Sequence, residues 1–186
     1  MTKISFDALG LELSVEGHRY QNLGAVNNVE EFSRTIYDSF NKSGKTSKAM
    51  FGEGVEEGDY FHGRFMAFKV RDHTEWFTFY DETGNLASDQ IFSAHEQAHV
   101  CHAMGKTDIL KRFVNIRNLR IFDRYWDFHE ADHEGRELVA NIVAFKAAEL
   151  RGHRILDVPP ELILPSIAPA LCIYQRAAFH DYSSYR

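Results

Sequence analysis

Residues 92–105 read FSAHEQAHVCHAMG, and the five residues His95-Glu96-Gln97-Ala98-His99 within them govern the reading of the whole chain. The neighbouring positions Ile91, Phe92, Ala94, Val100, Ala103 and Met104 are apolar or small and Gly105 supplies a stop, so the stretch predicts a helix over about 89–104. In a helix, residues i and i+4 share a face with Cβ atoms about 6 Å apart, and two histidines so placed can reach one metal ion at about 2.1 Å. Glu96, about 100° further round the helix, then stands beside the water in an open coordination position and can take its proton. The apolar setting predicts burial against a core that excludes water and fixes rotamers.

The same pattern recurs as His129-Glu130-Ala131-Asp132-His133, but its flanks are Asp127, Glu134, Arg136 and Glu137. That is the composition of an exposed helix N-terminus, where acidic side chains favour the dipole. This second copy is read as a solvated first turn of a helix over about 130–151, ended by Gly152. One helix cannot supply a whole site: His129 and Glu137 are eight residues apart, about 12 Å along the axis. A second helix must provide the third ligand. In RELVANIVAFKAAELRG, Glu137, Asn141, Ala144 and Ala148 form one stripe with Ala140 beside it, and small residues there allow a close approach that brings the Glu137 carboxylate toward the paired histidines.

HEQAH followed by Glu137-Leu138-Val139-Ala140-Asn141 resembles the gluzincin class of zinc metallopeptidases, most of all the short ImmA/IrrE-type branch. The resemblance covers about residues 60–150. It departs from the branch where AELRGHRILDVPP follows the second helix and where TDILKRFVNIRNLRIFDRYW separates the two motifs. It implies an α+β fold, a small zincin-like domain whose twisted antiparallel or mixed sheet packs on the H-E-x-x-H helix and on further C-terminal helices. It also implies one zinc ion per chain held by His95, His99 and Glu137, with Glu96 as general base in peptide-bond hydrolysis. His133, Asn141 and His102 are candidates to support those ligands or to replace one. A protein or peptide substrate is expected, in this branch often a single regulator.

The chain of 186 residues, 44% hydrophobic, suits one domain spanning 1–186. Within it, 1–58 is an N-terminal strand and helix portion, 59–152 carries the metal site and 153–186 is a helical tail. GLELSVEG alternates as a half-buried strand. Asn28 with Glu31 resembles a helix cap ahead of Val29, Phe32, Ile36 and Phe40. SGKTSKAMFGEGVEEGD reads as a loop, residues 60–70 and 75–80 as a hairpin joined by RDHT, and LASD as a short returning strand after the Gly84-Asn85 turn. A further helix is expected over about 108–125, and a last helix after the prolines, all of which lie beyond residue 158.

A net charge of −6 argues against a nucleic-acid partner. With no stretch of about 20 apolar residues and no signal-peptide h-region, no membrane partner is expected and the protein reads as cytoplasmic. Cys101 and Cys172 read as buried small side chains rather than a disulfide or metal clip. Gly44-Lys45-Thr46 mimics the end of a phosphate-binding loop, but Ser39 occupies the leading glycine position. Substrate is expected to pair with an exposed sheet edge near Trp76–Tyr80, although core packing accounts equally for those aromatics. Tyr125, Tyr182, His180 and His102 are candidate oxyanion stabilisers. Two readings compete with the peptidase. Glu96-x-x-His99 with Glu130-x-x-His133 matches the paired units of di-metal helical proteins, and a zincin fold can also serve binding or regulation without hydrolysis.

Overall fold

The structure, a computed structural model, describes residues 1–42, 48–51, 63–115, 123–153 and Cys172. Among them the elements run β1 (Thr2–Phe6), β2 (Leu11–Val15), β3 (His18–Val26), α1 (Val29–Lys42), β4 (Lys48–Phe51), β5 (Gly63–Val70), β6 (His73–Asp81), α2 (Leu86–Ala103), α3 (Thr107–Val114) and α4 (His133–Leu150). The fold is mixed α+β. The chain divides into two compact units, one ending at Gln97 and the other starting at Ala98, and α2 runs unbroken through that boundary. No helix among the described residues is long and apolar enough to cross a membrane.

In the first unit, β1 and β2 form an antiparallel pair, with Leu13 and Val15 buried and Glu12 and Ser14 facing outward, as the alternation of GLELSVEG predicts. The larger sheet has the order β3-β6-β5-β4, β3 lying parallel to β6 and the other pairs antiparallel. Its β5–β6 hairpin is closed by Arg71 and Asp72, with Arg71 at φ +47°. One face of this sheet is apolar: Met66, Phe68, Val70 and Phe79 are buried there with Val29, and Phe32, Ile36 and Phe40 of α1 pack on them. Phe40 stacks on Phe68 and Phe32 meets Phe79 edge-on. The Asn28 cap is real, its Oδ1 accepting from the Glu31 N–H, while the Asp81 carboxylate accepts from the Val29 N–H.

The opposite face carries a polar network that reaches α2, beside the buried Ala67 and Trp76. Thr78 donates to Asn22 Oδ1, and the Tyr20 hydroxyl is 2.7 Å from Thr78 Oγ1. Asn22 in turn donates to Asp7 and to Ser93 on α2. Gln97, wholly buried, accepts from the Ala8 N–H at 2.9 Å and donates to Asp7 Oδ1 at 2.5 Å. These bonds fix the rotation of α2 about its axis against the β1–β2 turn.

The second unit holds the end of α2 together with α3 and α4. Ten residues of α4, from Gly135 to Ala148, are buried, the pattern of a helix surrounded by protein on most sides.

Several elements differ from the sequence expectation. Strands β1 and β3 were not predicted, and Lys48–Phe51, expected within a loop, pairs with β5. LASD is the first turn of α2 and not a strand: Asn85 Oδ1 accepts from the Ser88 N–H and Asp89 accepts from the Thr83 N–H, so the helix starts at Leu86. The helix expected over 108–125 ends at Val114, where Asn115 takes a left-handed conformation. The helix expected from 130 starts at His133, because Asp132 caps it by accepting from the Gly135 N–H. Cys101 is buried as expected, and its thiol is pushed up to about 12 by burial, whereas Cys172 is exposed. The Gly44-Lys45-Thr46 segment, residues 60–62 of the expected hairpin and the expected last helix lie outside the described residues.

The Gln97 anchor predicts the cost of removing it. Gln97→Leu leaves the buried Ala8 N–H without its acceptor and should lower stability by about 1–3 kcal/mol in a denaturant titration; a change within about 0.5 kcal/mol, the level of ordinary surface substitutions, would show that the network does not hold α2.

Candidate metal centre

Helix α2 presents His95 and His99 one turn apart. Its end is set by Gly105 at φ +71°, whose N–H bonds the His102 carbonyl, and its register by the Asn85 cap and the Gln97 bonds. Helix α4 presents Glu137 about one turn after its Asp132 cap. Small residues run along the Glu137 stripe, with Ala140, Ala144 and Ala148 at 1–2% exposure, so the backbone of α4 can lie close to its neighbours. The outcome is a cluster in which one ligand atom each from His95, His99 and Glu137 lies within 4.8 Å of the others. Within it, His99 Nε2 is 3.1 Å from Glu137 Oε1. His99 is nearly inaccessible, while His95 and Glu137 keep partial exposure, leaving one side of the cluster open.

This donor set suits a borderline divalent ion. Two neutral imidazoles and one carboxylate form a three-ligand set of the kind that binds zinc and leaves a coordination position for water or substrate. The set contains neither the thiolates of a closed structural site nor the oxygen-only ligands of calcium or magnesium. Glu96, next to His95 on the helix, is 6% exposed and lies against the start of β5.

The other sequence candidates fall elsewhere. His133 is the exposed first residue of α4, and His129 sits in an exposed turn whose N–H bonds Asp127 Oδ1. The second His-Glu-x-x-His therefore lies across a helix start and has no common helical face. Among the described residues, the His95, His99 and Glu137 group is the one cluster of three or more His, Cys, Asp or Glu side chains able to hold an ion. Asn141, 2% exposed, follows Glu137 on the same stripe, and its Nδ2 has no hydrogen-bond partner among the described residues. It is a buried donor one turn from Glu137.

His102 serves the scaffold. It is 1% exposed, and its Nε2 donates to the Trp126 carbonyl at 2.9 Å, an acceptor shared with the Thr107 hydroxyl. Its ring meets Phe128 edge-on, and Arg136 lies over that ring while donating to the Phe128 carbonyl. Through these contacts the loop 123–132 is strapped to both helices. Gly135 allows Tyr125 to pack directly on α4, where a β-carbon would collide with the ring. Tyr182 and His180 lie outside the described residues.

The structure corrects the expected substrate edge. Strand β6, which carries Trp76–Tyr80, is hydrogen-bonded to β3 on one side and β5 on the other, so it offers no edge for an added strand. Trp76 and Phe79 are buried. Sequence reasoning also missed Gln97, Gly63 and the Asp132 cap; only the last carried a local signal, an Asp three residues before a glycine at the start of an apolar run.

Comparison with models of known protein families, with characterised proteins and with solved structures finds no match to this chain.

The buried His102 predicts an acid limit. Burial lowers its pKa to about 4, while in the unfolded chain it titrates near 6.5. Because the folded pKa is depressed, protons favour the unfolded chain; stability is full above about pH 6.5 and falls as the pH drops toward 4. In metal-free protein, the wild type should lose about 2 kcal/mol more than His102→Gln between pH 7 and pH 5. Urea titrations of equal pH dependence would show that His102 is not buried as a neutral base.

Proposed function

We propose that this protein is a zinc-dependent metallopeptidase of the gluzincin kind, with the zincin-like reading of its α+β fold. The observation that carries the proposal is the cluster itself: two histidines of one helix and a glutamate of a second converge to within 4.8 Å, with a buried glutamate directly after the first histidine. His95, His99 and Glu137 would hold one ion per chain. Bound zinc supplies Lewis acidity toward a scissile carbonyl and toward water.

The protein's own part is positional. Glu96 takes the proton of the attacking water and passes it to the leaving amine. Its near-complete burial strengthens its electrostatic coupling to the cluster and keeps bulk water from competing. His99 Nε2 and Glu137 Oε1 face one another 3.1 Å apart, so both side chains point to a common position, and this contact gives way when they bind an ion. The substrate class is a peptide or protein, and the resemblance to the ImmA/IrrE branch favours one regulator over general digestion. A carboxylate-bridged di-metal site has less support, since Glu130 and His133 are exposed at a turn and a helix start and strands precede α2.

The test separates base from ligands. Glu96→Gln should retain zinc within about threefold of the wild-type affinity and lose about 10²- to 10⁴-fold in hydrolysis of a cleaved peptide found by mass spectrometry of a peptide library. Hydrolysis surviving in Glu96→Gln would remove the general-base assignment. A wild type that binds zinc and cleaves nothing would favour a binding or regulatory protein that keeps the site.

A further inference from the structure

Of the described glycines, six adopt positive φ and are explained by the backbone conformation they need, but Gly63 is not among them. Space explains it. A β-carbon at Gly63 would stand 2.6 Å from Glu96 Oε1, 2.9 Å from Cγ and 3.0 Å from Cδ. Normal carbon contacts lie at about 3.5–4.0 Å. Because Cγ is crowded as well as the carboxylate, turning the terminal torsion gives no relief, and Glu96 would have to leave its χ1 rotamer. Gly63 is the first residue of β5 and is paired with Tyr80 of β6, so its backbone is held by the ladder. Glu96, at 6% exposure, has little free volume to enter.

We propose that Gly63 is a positioning residue for the general base: the bare backbone at the start of β5 forms the wall against which the Glu96 side chain is held in one orientation. The inference rests on the assignment of Glu96 as the base. The sheet thereby takes part in the chemistry without donating a side chain, and any residue larger than glycine at position 63 turns the carboxylate away from its working direction. Ligand positions on α2 and α4 are untouched by such a change.

A double-variant cycle tests this with a readout that needs neither zinc nor turnover. Thermal unfolding is followed in chelator for the wild type, Gly63→Ala, Glu96→Ala and the double variant. Gly63→Ala should lower Tm in the wild-type background, and in the Glu96→Ala background it should leave Tm unchanged or raise it, because the clash is gone and alanine is the better strand residue. If Gly63→Ala alone is insoluble, recovery of folded protein in the double variant counts as the same result. Equal losses in both backgrounds, or a double variant that also fails to fold, overturn the proposal. Zinc affinity, read by competition with a chromophoric chelator, should stay within about threefold in Gly63→Ala, below the level of losses from disturbed ligand partners. If the wild type cleaves a peptide, Gly63→Ala should lower kcat by about tenfold or more at similar KM, and an unchanged kcat contradicts the proposal. A wild type that cleaves nothing would remove the peptidase reading while the Tm cycle still reports on the contact.

Discussion

Two histidines on one helix cannot complete a metal site, and the donor that stands beside this pair is Glu137 of α4, 3.1 Å from His99 of α2. Helical rise forbids a third ligand from the same face within reach of the pair. Several described features of α4 allow the approach of that carboxylate. Alanines at 140, 144 and 148 keep the helix slim, Asp132 caps it so that Glu137 falls in its second turn, and Gly135 lets Tyr125 pack against its start. The straps from His102, Thr107 and Arg136 to the loop 123–132 then fix where α4 begins.

The first unit performs the complementary task on α2. An apolar sheet face packed on α1 forms one core, and directional bonds from Gln97 to the β1–β2 turn and from Asn22 to Ser93 tie α2 to the rest of the unit. Hydrophobic packing alone would tolerate a rotated helix; a buried glutamine with two partners does not, since rotation would strand the Ala8 N–H. The side chain after it in the opposite sense, Glu96, is confined by the backbone of β5. Gln97 and Glu96 are thus held by different parts of the first unit, the β1–β2 turn and the start of β5.

How much of this was legible in the sequence varied with the range of the interaction. The i,i+4 spacing of His95 and His99, the stripe below Glu137, the Gly105 stop and the Asn28 cap are local, and each is found where the residues predict it. Strand β3 escaped because its sequence HRYQNLGAV does not alternate cleanly, and Gly24 at φ +73° shifts the register beside Asn22. Strand β4 is too short to show a period. The start of α2 is not marked locally, because Asn85 reads equally as a turn residue and as a cap. Gln97 and Gly63 owe their roles to partners 90 and 33 residues away, Asp7 and Glu96, and no local pattern encodes such pairings. The internal position of β6 is likewise a property of strand order, so the aromatic run from Trp76 to Tyr80 could not announce that it lacks an edge.

In the proposed site one ion is held by the first motif together with Glu137, and the second motif takes no part. Metal content per chain, measured by plasma mass spectrometry on the wild type, His95→Ala and His129→Ala, addresses it directly. About one zinc per chain in the wild type, lost in His95→Ala and kept in His129→Ala, is the predicted result. Retention in His95→Ala with loss in His129→Ala, or two ions of iron or manganese per chain, would contradict it.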